Sequence, residues 1–168
     1  MPYPAVAVAN SFLKLAEKHG EDLSLMKLLK LAFFAHAWHL AIKKQPLVSE
    51  RPEAWKFGPV FPSIYHAFKG AGAGKITKRH KAIDLDALLT DDQIVTTEPE
   101  LPNQPFLNAL TAKIWSVYGK FGPFELSELT HQKGTPWWEV WHNRGGSERM
   151  GTDIPDDLIQ EYFAKRLA

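Results

Sequence analysis

The sequence contains no cysteine. Disulfides, thiolate nucleophiles and cysteine-ligated metals are thereby excluded, and the composition suits a reducing compartment. Charge of either sign is not in excess: 20 Lys and Arg stand against 19 Asp and Glu, a formal net charge of +1. A dedicated nucleic-acid-binding domain is far more basic, so only a local patch could serve that purpose. The start, Met1-Pro2-Tyr3-Pro4, lacks the basic stretch of a secretory leader. The longest apolar run, 31–42, contains His36 and His39 and is too short to cross a bilayer. Neither G-x-S-x-G nor H-E-x-x-H occurs. A length of 168 residues suits one domain, 1–168, with room for a sizeable core. The expectation is a soluble cytoplasmic protein with no membrane span, no metal, no cofactor and no enzymatic activity.

Three features tempt a chemical reading and do not sustain it. Glycines at 70, 72 and 74 precede Lys75, but a phosphate loop ending there needs glycine at 69, where Lys69 stands, and Ser or Thr at 76, where Ile76 stands. This stretch reads as a linker. His36 and His39 could share a helix face, yet no further ligand completes a metal site. Asp91-Asp92 and Asp156-Asp157 read as turn and helix-start residues.

What is present is helix punctuation. Ala5, Val8, Phe12 and Leu15 give a first helix one apolar face, with Asn10, Lys14, Glu17 and Lys18 mostly opposite and Gly20 as its stop. Ser24 caps a second helix, 25–44, apolar nearly all round, with Lys27, Lys30, Lys43 and Lys44 on a narrow polar strip. That pattern predicts a buried central helix. An aromatic corner follows at 54–65. Trp55 and Phe57 suit an extended piece, Gly58-Pro59 breaks the backbone, and Pro62 opens a helix over 61–69 that carries Tyr65. The stretch 75–102 is the least readable, with a helical turn at 85–89 and a short strand at 94–97. Further helices are expected from Pro105 to Tyr118, over 125–131, after Thr135-Pro136, and from about Pro155. The fold class is mainly α, a compact domain around the central helix with at most one or two short strands.

Two clusters suggest contact with a partner. Lys75, Lys78, Arg79, His80 and Lys81 form a basic loop that could meet phosphate or an acidic protein surface. Trp137, Trp138 and Trp141 crowd one short helix beside His131. Trp137 and Trp141 share a face and Trp138 points elsewhere, so the helix lies deep between elements or offers an indole to a partner. The 125–141 segment has the outline of a helix-turn-helix, but its second helix lacks the Arg, Lys, Asn or Gln that read base edges.

These residues carry a family resemblance. Met26-Lys27-Leu28, Lys30-Leu31, Pro46-Leu47, Ala54-Trp55, Gly58-Pro59-Val60, Pro62 and Tyr65 are followed by Leu126-Ser127, Thr130-His131 and Pro136-Trp137. The chain resembles the phage-associated Panacea, or SocA-like antitoxin, domain from about Asn10 to Trp141. The specific part is A-W-x-x-G-P-V-x-P-x-x-Y. The chain departs from the pattern at Phe33-Phe34 and Phe57, where tyrosine is common, and so keeps the rings without their hydroxyls. The resemblance implies a mainly helical antitoxin that neutralises a cognate toxin by direct contact, with a protease as further partner if it acts as a proteolytic adaptor. It implies that Trp55, Gly58, Pro59, Val60, Pro62 and Tyr65 determine the fold. The alternatives are a nucleic-acid-binding transcriptional regulator or another phage-associated interaction protein.

Overall fold

The structure, a computed structural model, describes residues 1–91 and 93–167. Asp92, half of the Asp91-Asp92 pair, lies outside the described residues. Helix α1, Ala5–His19, ends at Gly20, whose left-handed φ of +66° lets its N–H reach the Ala16 and Glu17 carbonyls. Helix α2, Leu25–Lys43, begins where the Ser24 hydroxyl accepts the Lys27 N–H. Its 19 residues include an 18-residue stretch with a mean hydropathy of 1.3, long and apolar enough by composition to cross a membrane. That composition has a local cause: α2 is buried along nearly its whole length and touches most other elements.

Five of the other helices are α3 (Pro62–Phe68), α5 (Pro105–Tyr118), α6 (Pro123–His131), α7 (Pro136–Asn143) and α8 (Asp156–Ala164), with a 3₁₀ turn at Lys69–Ala71. Prolines open α3, α5, α6 and α7, where a missing N–H costs nothing. Helix α8 packs most extensively on α2. The Val48 N–H donates to His36 Nδ1 at 3.2 Å, which leaves the Nε2 proton to be donated to Asp156 at 2.9 Å. Phe163 meets the rings of Phe33, Phe34 and Trp38 edge-on. His36 thus ties α2 to α8, while His39 binds the Gln45 carbonyl oxygen at 2.7 Å. Each histidine has its own local partner.

The mainly helical domain is as expected, but among the described residues its short strands number four, in two ribbons, against one or two expected. β1 (Glu53–Trp55) and β2 (Gly58–Val60) pair antiparallel, with Trp55 opposite Gly58, and make the aromatic corner a hairpin. β3 (Ala82–Ile83) and β4 (Thr96–Thr97) flank the short helix α4 (Leu85–Asp91). Asn10, expected on the polar side of α1, is instead buried and clamps this arm. Its amide donates to the His80 and Pro99 carbonyls and accepts the His80 N–H, each at 3.0 Å. A side chain that satisfies three backbone groups can be buried where its helical position alone suggests water.

Candidate functional site

The residues of the motif converge on the back of the β1–β2 hairpin. Lys30, expected on a polar strip, is 1% exposed and donates from Nζ to the Pro59 carbonyl at 3.2 Å. Burial lowers its pKa to about 7. Beside it Gly58 has φ +117°, and a Cβ there would stand 2.7 Å from Lys30 Cε and 2.8 Å from Thr130 Oγ1. Only glycine fits both the backbone angle and that approach. From α6 the Ser127 hydroxyl donates to the Phe57 carbonyl at 2.7 Å. From α7 the Trp137 indole N–H donates to the Trp55 carbonyl at 2.6 Å. Thr135 donates to the Thr130 carbonyl at 2.6 Å and accepts the Trp138 N–H at 3.2 Å, which joins α6 to α7 at a fixed angle. A lysine, a hydroxyl, an indole and a glycine therefore hold one hairpin in place.

On the outer side of this hairpin lies a groove of about 660 Å³. Its walls are the start of α2 (Leu25, Met26, Leu29), the hairpin (Trp55, Lys56, Phe57), Phe124, Trp141 and the 146–151 loop. Gly146 lets that loop lie against α7, since a Cβ would meet the Val140 oxygen at 2.9 Å and Trp141 Cα at 3.0 Å. The lining is largely apolar, and three of its large apolar side chains are exposed: Phe57 at 54%, Phe124 at 72% and Met150 at 95%. Lys30, Lys56 and Arg149 also line it, against one carboxylate, Glu148. Such a surface can take up apolar groups beside negative charge.

The expected partner residues do not form one site. Trp137 is 4% exposed, in the interior, stacked between His131 at 3.9 Å and Trp141 at 5.3 Å. Trp141 is half-buried and lines the groove. Trp138 is half-buried, 4.7 Å from the His142 ring and 5.8 Å below the Lys133 ammonium. His131 Nε2 is buried with no hydrogen-bond partner among the described residues. Burial first, and then the Lys30 charge, lower its pKa. Lys75, Lys78 and Lys81 are exposed along a separate cleft of about 930 Å³, which Glu17, Glu21, Asp22 and Glu98 also line. Arg79 is held there by Glu98 Oε2 at 2.8 Å and by Glu17. Among the motif residues, Gly58, Pro59 and Val60 are buried and Pro62 and Tyr65 partly so. Trp55, expected as a core side chain, is half-buried at the groove wall, edge-on to Tyr65 at 4.9 Å, with its indole N–H on Glu53 at 2.9 Å.

Sequence reasoning named Met26 and Lys30 as motif residues without their roles here, and missed Phe124, Arg149 and Met150. Lys30 had a signal: it sits between Leu28-Leu29 and Leu31-Ala32 on a helix that is apolar all round. Nothing local marks the others.

The fold and its surfaces define a mainly helical domain built to present a groove, with no group of three metal-ligating side chains among the described residues. The chain belongs to the Antitoxin SocA-like, Panacea domain family, which it matches over residues 28–138. It is 33% identical over 159 residues to Antitoxin SocA of Caulobacter vibrioides (strain NA1000 / CB15N), covering 95% of this chain and 81% of that protein. No solved structure matches it at a significant level.

Proposed function

We propose that this chain is an antitoxin that neutralises a cognate toxin protein in the cytoplasm by binding it directly and catalysing nothing. The observation that carries this reading is the similarity to an antitoxin across 95% of the chain, at 33% identity. The groove supports it, because a large exposed apolar surface on a soluble protein marks a place where another molecule sits. Trp141 in that groove is an aromatic anchor of the kind that dominates binding energies. Lys78 and Lys81, exposed on the basic loop, can steer an acidic toxin surface during encounter, while Lys75 is already paired with Asp22 at 3.9 Å. Trp138 adds a half-buried indole outside the groove lining. The nucleic-acid alternative loses support at the basic loop, where Arg79 is held by two carboxylates and the adjoining cleft is lined by acids.

The test is growth. The toxin-like product of the neighbouring reading frame is expressed alone and then with this chain. Arrest in the first case and recovery in the second, with co-purification, is the expected result. No recovery together with no co-purification overturns the reading. Recovery with disappearance of the toxin protein points to a protease acting after binding.

A further inference from the structure

The hairpin beside the groove offers no backbone to pair with. The Trp55, Phe57 and Pro59 carbonyls are taken by Trp137, Ser127 and Lys30. The Ala54 N–H donates to the Thr152 carbonyl at 2.9 Å, and the Ile154 N–H to the Pro52 carbonyl at 2.7 Å, so the 152–154 strip closes the outer edge of β1. An added strand would find no ladder here, and its own N–H and C=O groups would be buried unpaired. The occupant must satisfy its backbone internally, which a helix does.

Its surface chemistry follows from the lining. Phe57, Phe124 and Met150 come from three separate segments and all expose apolar surface around one cavity. Methionine adapts its shape to an incoming side chain. A cavity of about 660 Å³ has room for a few side chains and not for a folded lobe. Among the described residues, neither of the two exposed lining cations is in an ion pair. Lys56 lies 5.6 Å from the Phe57 ring and Arg149 donates to the Arg144 carbonyl at 3.1 Å, while Lys30 is buried on the Pro59 carbonyl. With Glu148 the single lining carboxylate, the groove favours negative charge.

We infer that the groove receives an amphipathic helix of the toxin, with apolar anchors on the entering face and acidic residues along its flank. This rests on the antitoxin reading above and specifies its contact surface.

The experiment uses the full chain and the co-purified toxin. Phe124→Ala with Met150→Ala removes two exposed side chains, so the thermal midpoint should stay within a few degrees of the parent. Toxin affinity should fall about tenfold or more. Arg149→Glu should weaken binding by a similar factor at low salt and less at high salt. A photo-crosslinker placed at position 124 should capture a toxin segment with apolar residues three and four apart and acids beside them. A complex that forms with unchanged affinity in both variants overturns the groove while the antitoxin reading stands. Capture of a strand or a polar loop overturns the helical occupant. Failure of the parent chain to bind the toxin overturns both.

Discussion

The Nζ of Lys30 stands 3.2 Å from the Pro59 carbonyl oxygen, and this joins the central helix to the hairpin from beneath. It is a costly joint. A buried ammonium with a single carbonyl partner loses most of its hydration and recovers little.

Stability should therefore depend on pH through Lys30. Its pKa is about 7 in the fold against an ordinary value of 10.5. Between these values the unfolded chain binds a proton that the folded chain does not, so stability rises with pH across this window. Below about pH 7 the burial penalty is present in full. The expected slope is up to about 1.4 kcal/mol per pH unit. Urea melts at several pH values check this, and Lys30→Met should flatten the rise. An equal slope in Lys30→Met would show that another group is responsible.

Gly58→Ala should cost about 2 kcal/mol or more. It forces a Cβ onto a backbone with φ +117° and toward Lys30 Cε at 2.7 Å. A denaturant midpoint unchanged by the substitution would mean that the hairpin does not approach Lys30 of α2 this closely.

Trp137→Phe keeps the ring stack and removes the indole N–H from the Trp55 carbonyl, a loss of about 1–3 kcal/mol. Trp137→Ala should cost about 3–5 kcal/mol as a buried aromatic site is emptied. Trp55→Ala should cost less than Trp137→Ala, since Trp55 is half-buried. Equilibrium unfolding of the three variants gives the order directly.

The helices were legible because their ends are written in adjacent residues. Gly20, Ser24, Pro105 and Thr135-Pro136 place the starts and stops of α1, α2, α5 and α7. The ribbons were legible only in part: the strand expected at 94–97 is β4, but its two-residue partner β3 carries too little pattern to recognise. Asn10 and Lys30 were misplaced for a common reason. Helical periodicity assigns a polar side chain to water, and the distant carbonyl partner that permits burial is not visible locally, even where, as at Lys30, the surrounding apolar residues mark the burial itself. The groove was beyond reach altogether, because residues near 25, 57, 124 and 150 meet only through tertiary packing. The tryptophan cluster lay between these cases. Its spacing gave the Trp137–Trp141 stack, but not which of the two faces the interior.

The central claim is neutralisation by stoichiometric capture. Its most direct test is size-exclusion chromatography with light scattering on the chain co-expressed with its toxin, followed by intact mass of each component. The account predicts one species of defined stoichiometry that contains the toxin at its unmodified mass. Rescued growth with the toxin eluting alone, or with its covalent mass altered, would contradict it.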